Sequence, residues 1–295
     1  MFNIMKKTGQ QTEDSKHSRK PIFAAVALLA ILISAVYVYS LSLAPPAEAK
    51  AAIIDQLGSS KLDDAVRDTN QTFVESAMEL LYKRFSIVDY YSDNATVEEY
   101  SKLASAGYKL ILWRAHSALD LSSNYIAMST TDKYGSINYG QYPDGSLTLC
   151  NITGDPTLYF AITPTFIEQV MTGTFQNTVI VLMSCNGLQP GYLKTAQALE
   201  AKGAKVIIGW DSWVSTSDND YATSLLLQYL INENDTVSAA VGKLWPFPSE
   251  FGWARLQYDP VSPNAGDYQI PDYRKNDSTN SALVTVPVSE KIKEP

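Results

Sequence analysis

Hydrophobic positions follow three different patterns along the chain. Residues 21–44 (PIFAAVALLAILISAVYVYSLSLA) form one apolar run, and no charge interrupts the chain from Pro21 to Ala47. The run exceeds the ~20 residues that carry a helix across a ~30 Å hydrocarbon core. Beyond residue 50, short apolar runs alternate with segments of helical spacing. Strands are predicted at residues 51–55 (AAIID), 85–91 (FSIVDYY), 108–115 (YKLILWRA), 178–184 (TVIVLMS) and 204–210 (AKVIIGW). Between them, Phe73, Ala77, Leu80, Leu81 and Phe85 recur at helical spacing. Further helices are predicted at residues 97–104, with Asn94 and Thr96 as cap candidates and Gly107 as the stop, at 192–202 closed by Gly203, and at 219–230. Strands alternating with helices in this order predict an α/β fold with a mostly parallel sheet between helical layers. Residues 117–162 break the alternation with short strand-like pieces around turn signals and read as a β-rich insertion after the third strand. Residues 259–295, rich in Pro, Asp and Asn, read as a surface tail.

Charge orients the apolar run. Residues 1–20 carry five basic and two acidic side chains, and the first charge after the run is Glu48. The positive-inside rule keeps residues 1–20 cytoplasmic, makes residues 21–44 a transmembrane helix, and exports the rest through a short linker, residues 45–50. A cleaved signal peptide is the alternative, since Ala47-Glu48-Ala49 has the small-x-small form of a cleavage site. The length of the apolar run favours an uncleaved anchor. Five Asn-x-Ser/Thr sequons, at Asn70, Asn94, Asn151, Asn234 and Asn276, all follow the run and agree with an extracellular glycoprotein. The chain after residue 20 holds 18 basic and 29 acidic residues. So acidic a body lacks the counterion-release term of phosphate-backbone binding, and nucleic acid is excluded as a partner.

Candidate chemistry is sparse. The exported part has one histidine, His116, and two cysteines, Cys150 and Cys185. That number excludes His/Cys metal sites, and no metal or cofactor is expected. There is no glycine-rich phosphate loop, no GxGxxG opening a helix and no GxSxG. In open α/β sheets ligands gather at the carboxyl ends of strands. There the third strand runs into Arg114-Ala115-His116-Ser117, and the fourth into Ser184-Cys185-Asn186-Gly187. An imidazole beside a thiol can take its proton, and a thiolate is a strong nucleophile. Arg114 is expected to snorkel or to pair with a carboxylate. Taken singly, Cys185 and His116 are ordinary buried residues; their shared position at strand ends makes them candidates.

VIVLMSCNG (residues 179–187), an apolar strand ending in cysteine after an earlier strand ending in histidine, resembles the caspase-like cysteine peptidases: caspases, gingipains, clostripain, separase and CHAT domains. Residues 195–199, then GAKVII (residues 203–208), a Trp and an acidic turn ending in Asp218 resemble CHAT domains in particular. The resemblance spans residues 51–258 in element order and implies a three-layer caspase-like sandwich. It implies a peptidase acting on a peptide or protein substrate through an acyl-enzyme, with His116 as base and Cys185 as nucleophile. Backbone amides near Ser117 and Gly187 would serve the oxyanion. Asp211, Asp218 and Asp220 become candidates for an acidic substrate pocket, with Trp210 and Trp213 beside them. Three departures stand against it. His-Gly is here His116-Ser117, the His116 to Cys185 separation of 69 residues exceeds the ~50 of caspases, and Cys150 is available to mask Cys185 in a disulfide. The alternative is a catalytically inactive caspase-like surface-binding or structural module.

Overall fold

A computed structural model of the chain describes residues 49–274. The expected membrane span and the segments before residue 49 and after residue 274 lie outside those residues. Among the described residues no helix is long and apolar enough to cross a membrane.

The expected alternation of strands and helices is present. β1 (Lys50–Asp55) leads through residues 56–70 into α1 (Gln71–Leu81). That helix starts where Asn70 Oδ1 accepts the Phe73 N–H at 3.0 Å, satisfying one of the unpaired amides of its first turn. It buries Phe73, Val74, Ala77, Leu80 and Leu81 on one face. Next come β2 (Ile87–Tyr91), α2 (Val97–Lys102) and β3 (Tyr108–Arg114). Thr96 caps α2 by accepting from the Glu99 N–H at 3.2 Å. The chain then leaves the main sheet for β4 (Ser117–Asp120), β5 (Tyr125–Lys133), β6 (Leu147–Asn151) and β7 (Leu158–Ile162). These four form their own antiparallel sheet in the order β4-β5-β7-β6. α3 (Pro164–Gln169), β8 (Thr178–Met183), α4 (Lys194–Ala201) and β9 (Ala204–Trp210) restore the alternation. At the turn into β9 only glycine fits: Gly203 has φ +103°, and a Cβ there would lie 2.5 Å from the Phe175 carbonyl oxygen. α5 (Thr216–Leu227) runs on as a π-helical turn at Gln228–Asn232, followed by α6 (Val237–Gly242). A hairpin of β10 (Phe247–Ser249) and β11 (Gly252–Ala254), then β12 (Leu256–Asp259) and α7 (Pro263–Gly266), complete the described chain.

The main sheet has six strands in the order β2-β1-β3-β8-β9-β12, parallel except for β12, which runs antiparallel to β9. Its inner strands are near-continuous apolar runs because both faces are covered. Ile53, Leu112 and Val181 turn to a core closed by α1, α5 and α6. Their neighbours Ile54, Trp113 and Leu182 turn to the opposite core, closed by α2, α3, α4 and the inserted sheet.

Two features differ from expectation. The sixth strand and its hairpin are three or four residues each and are broken by Pro248 and Gly252, too short for a periodic signal. Residues 259–274, expected as surface tail, pack into the domain: Ala265 and Ile270 are buried, and Tyr273 stacks on Phe85 with ring centroids 5.4 Å apart. A few apolar anchors hold a segment whose average composition is polar.

This edge of the sheet also carries an acid-sensitive pair. Glu200 in the last turn of α4 faces Asp259 of β12, and its Oε1 is buried without a donor. Burial, then the Asp259 charge, raise the Glu200 carboxyl from 4.5 to about 7. The folded protein thus holds a proton that the unfolded chain releases, so stability falls as pH rises from about 4.5 to about 7. Glu200→Gln should remove that slope. Thermal melts of both proteins across the window test it, and parallel Tm profiles would disprove the pairing.

Candidate active site

In a parallel sheet of this order ligand sites are expected at the carboxyl edge where strand order reverses, here between β1 and β3. Arg114, the last residue of β3, fills that position with no exposed surface. Its Nε and Nη2 donate to Oδ1 and Oδ2 of Asp220 at 2.7 and 2.9 Å, a bidentate fork. Its Nη1 donates to Asp55 Oδ1 and to the Asp68 carbonyl, each at 2.8 Å. Tyr90 Oη donates to the second oxygen of Asp55 at 3.0 Å, and Asn70 Nδ2 to Asp220 Oδ2 at 2.9 Å. Burial alone would favour the neutral guanidine, but Asp220 and Asp55 outweigh it and raise its proton affinity above the ordinary value. Arg114 does not snorkel; it is a buried ion pair joining β1, β3, α5 and the loop of residues 56–70.

The sheet register pairs Arg114 with Met183, so His116 and Cys185 stand at equivalent positions, two residues past the ends of adjacent parallel strands. The two backbones stay coupled there. Ala115 N donates to the Met183 carbonyl at 3.3 Å, and Ser117 Oγ donates to the Cys185 carbonyl at 2.5 Å.

The half-buried His116 ring places Nε2 3.2 Å from the Val66 carbonyl. A carbonyl can only accept, so Nε2 carries the hydrogen and Nδ1 keeps its lone pair. The His116 N–H donates to Gln56 Oε1 at 3.0 Å. Burial holds the imidazole below its ordinary pKa, the nearby Arg114 charge adds to this, and the Val66 bond opposes it. Cys185 is also half-buried, with Sγ 3.4 Å from the Val214 carbonyl. Burial pushes its thiol up, and the Val214 bond opposes this. At rest, both groups are neutral and each donates to a loop carbonyl.

The other expected site residues fall in different places. Both cysteines are free; Cys150 lies on β6 with its thiol 3.4 Å from Ser129 Oγ, so the masking disulfide is not formed. Gly187 is buried where a Cβ would lie 3.2 Å from Leu182 Cβ. It lets the chain after Asn186 fold back on β9, where Leu188 N donates to the Trp210 carbonyl at 2.8 Å, and this packing accounts for the glycine without an anion to bind. Trp210, expected beside the substrate, is fully buried, its indole N–H donating to Asn219 Oδ1 at 2.8 Å. Trp213 is 44% exposed in the loop that carries Val214.

The three acids proposed for a substrate pocket are all engaged. Asp220 is the Arg114 partner. Asp211 accepts from the Arg255 N–H at 2.7 Å and Gln257 Nε2 at 2.8 Å. Asp218 accepts from Ser215 Oγ at 2.7 Å, and its own N–H donates back at 3.1 Å, closing the start of α5. Asp55, Gln56, Val66 and Asp68 were not singled out from the sequence. The switch-point rule applied to the end of β1 would have found the first two. Val66 and Asp68 act through backbone carbonyls, which no side-chain pattern marks.

A polar cavity of about 550 Å³ is lined by Ser60–Asp64 of the loop of residues 56–70 and by Thr131, Asp132, Lys133 and Ser136 at the end of β5; neither His116 nor Cys185 lines it. No protein-family model and no curated protein matches this chain.

Proposed function

We propose that this chain is a membrane-anchored, extracytoplasmic cysteine endopeptidase of caspase-like fold, with Cys185 as nucleophile and His116 as general base. The observation that carries the reading is that His116 and Cys185 each follow, by two residues, the paired ends of adjacent parallel strands, with the His116 ring held by a third group, the Val66 carbonyl. Rotation of Cys185 away from Val214 frees its proton for His116 Nδ1 as sulfur attacks a peptide carbonyl. The imidazolium then protonates the leaving amine, leaving a thioester. Water, deprotonated by the same nitrogen, hydrolyses that thioester and restores the thiol. The strand order, the antiparallel sixth strand and the small sheet inserted after β3 support the caspase-like assignment. The apolar run and basic leader of residues 1–44 support the anchor. Because Asp211, Asp218 and Asp220 are engaged, nothing favours a basic residue before the cleaved bond.

A catalytically silent surface-binding module is the second reading. It is favoured by the resting hydrogen bonds, which turn thiol and imidazole to separate carbonyls.

Peptidyl electrophiles and iodoacetamide, with the labelled cysteine mapped by mass spectrometry, separate the two. The peptidase reading expects a peptidyl electrophile to label Cys185 and not the buried Cys150, and to block hydrolysis of a fluorogenic peptide pool. Cys185 that reacts with iodoacetamide but with no peptidyl electrophile favours the silent module. The raised thiol adds a pH test. Iodoacetamide labelling of Cys185 should reach half-rate at a higher pH than a free thiol does, whereas a lower midpoint would reveal a resting thiolate–imidazolium pair.

A further inference from the structure

We infer that Arg114 is a positioning residue, holding the loop of residues 56–70 so that the Val66 carbonyl keeps His116 in its Nε2–H form with Nδ1 free to accept a proton. The inference rests on the proposed role of His116 as base. Its support is a two-rung arrangement. Arg114 and His116, two residues apart, donate to two carbonyls that are also two residues apart on the facing loop: Arg114 Nη1 to Asp68 at 2.8 Å and His116 Nε2 to Val66 at 3.2 Å. Residues 56–70 hold no helix or strand; turn hydrogen bonds shape them, among them Val66 N and Arg67 N donating to the Asp63 carbonyl at 3.0 and 2.9 Å and Asp68 N donating to the Leu57 carbonyl at 2.8 Å. The Arg114 bond adds to these turns the tie that joins the end of the loop, two residues after Val66, to the strand leading into His116. Thr216 of α5 adds a tie by donating to the Asp68 carboxylate.

Arginine is required for geometric reasons. Its planar fork reaches both Asp220 oxygens, Asp55 and the Asp68 carbonyl at once. A lysine ammonium keeps the charge but cannot span these acceptors. The buried ion pair also sets the field at the imidazole. Arg114 favours the neutral ring, Asp68 opposes it, and the Cys185 thiol is neutral at rest.

Arg114→Lys in the full chain tests this. The chain has two histidines, His17 and His116, so ¹⁵N-histidine NMR reads the imidazole directly. In the wild type His116 should be the Nε2–H tautomer, titrating below an ordinary histidine. In a folded Arg114→Lys, the tautomers should mix and the midpoint should fall further, because the Val66 bond that raises it is weakened while the lysine keeps the positive charge. kcat on a fluorogenic peptide should fall about ten- to a hundredfold, with KM little changed. If Arg114→Lys fails to fold by circular dichroism, Thr216→Val, which loosens only the Asp68 side of the loop, should show a smaller change in the same direction. A folded variant with the wild-type tautomer and midpoint overturns the inference. The NMR readout does not depend on turnover, so an inactive wild-type chain would sink the peptidase reading and leave the positioning claim to be judged by tautomer and midpoint.

Discussion

Cys185→Ala is expected to reduce peptide hydrolysis to background, and His116→Gln to lower it by about 10²–10⁴-fold, the usual worth of a positioned general base. In the proposed mechanism the thiol forms the bond to substrate, so nothing substitutes for it once it is gone. Without the imidazole, a thiol pushed up by burial is almost wholly protonated at neutral pH. Some activity should return in His116→Gln as pH rises and thiolate forms without help. The double variant should be no worse than Cys185→Ala, because residues acting as one unit are not additive. Cys150→Ala is the internal control: its sulfur, on β6, is buried against Ser129 of β5, so activity should survive its loss. Hydrolysis that persists in Cys185→Ala, or a His116→Gln profile superimposable on wild type, would remove these residues from the mechanism. Both replacements trim half-buried side chains, so circular dichroism should show the native fold.

What the sequence could disclose followed from what pattern encodes. The inner strands were readable because a strand covered on both faces has no polar alternation, as in TVIVLMS, where all six residues of β8 are buried. The joint position of His116 and Cys185 followed from locating two strand ends and assuming that they are neighbours, which the pairing of Arg114 with Met183 makes concrete. Asp220 shows where such reading stops. The resemblance makes it a candidate for a substrate pocket near the start of a helix, but its role is set by a guanidinium 106 residues earlier. Trp210 departs from expectation for a related reason. It ends a strand, as substrate-facing residues do, yet its ring packs edge-on against Phe247 of a hairpin too short to predict. Val66 is the extreme case, because the group that matters is its carbonyl, and every residue has one.

Arg114→Met is expected to cost the fold far more than losing either dyad residue. Asp55 and Asp220 are each almost fully buried, and Arg114 is the cation between them. Removing one member of a buried ion network leaves uncompensated charge and typically costs about 3–5 kcal/mol. At roughly 2–4 °C per kcal/mol for a domain of this size, Tm should drop by about 6–20 °C. The direction of the pH response identifies the cause. With no guanidinium between them, the two carboxylates repel, and protonating one relieves both the repulsion and the burial penalty. The folded variant therefore binds a proton more tightly than the unfolded chain, and its stability should rise as pH falls, the reverse of ordinary acid denaturation. A combined Arg114→Met, Asp55→Asn, Asp220→Asn protein removes the charge with the cation and should recover much of the lost stability. A Tm for Arg114→Met within about 2 °C of wild type, or a triple variant no more stable than the single, would mean that the ion network does not hold this end of the sheet together. If the triple variant is stable yet its His116 no longer holds one tautomer, the same guanidinium will have been shown to do two separable things, supporting the sheet edge and aiming the base.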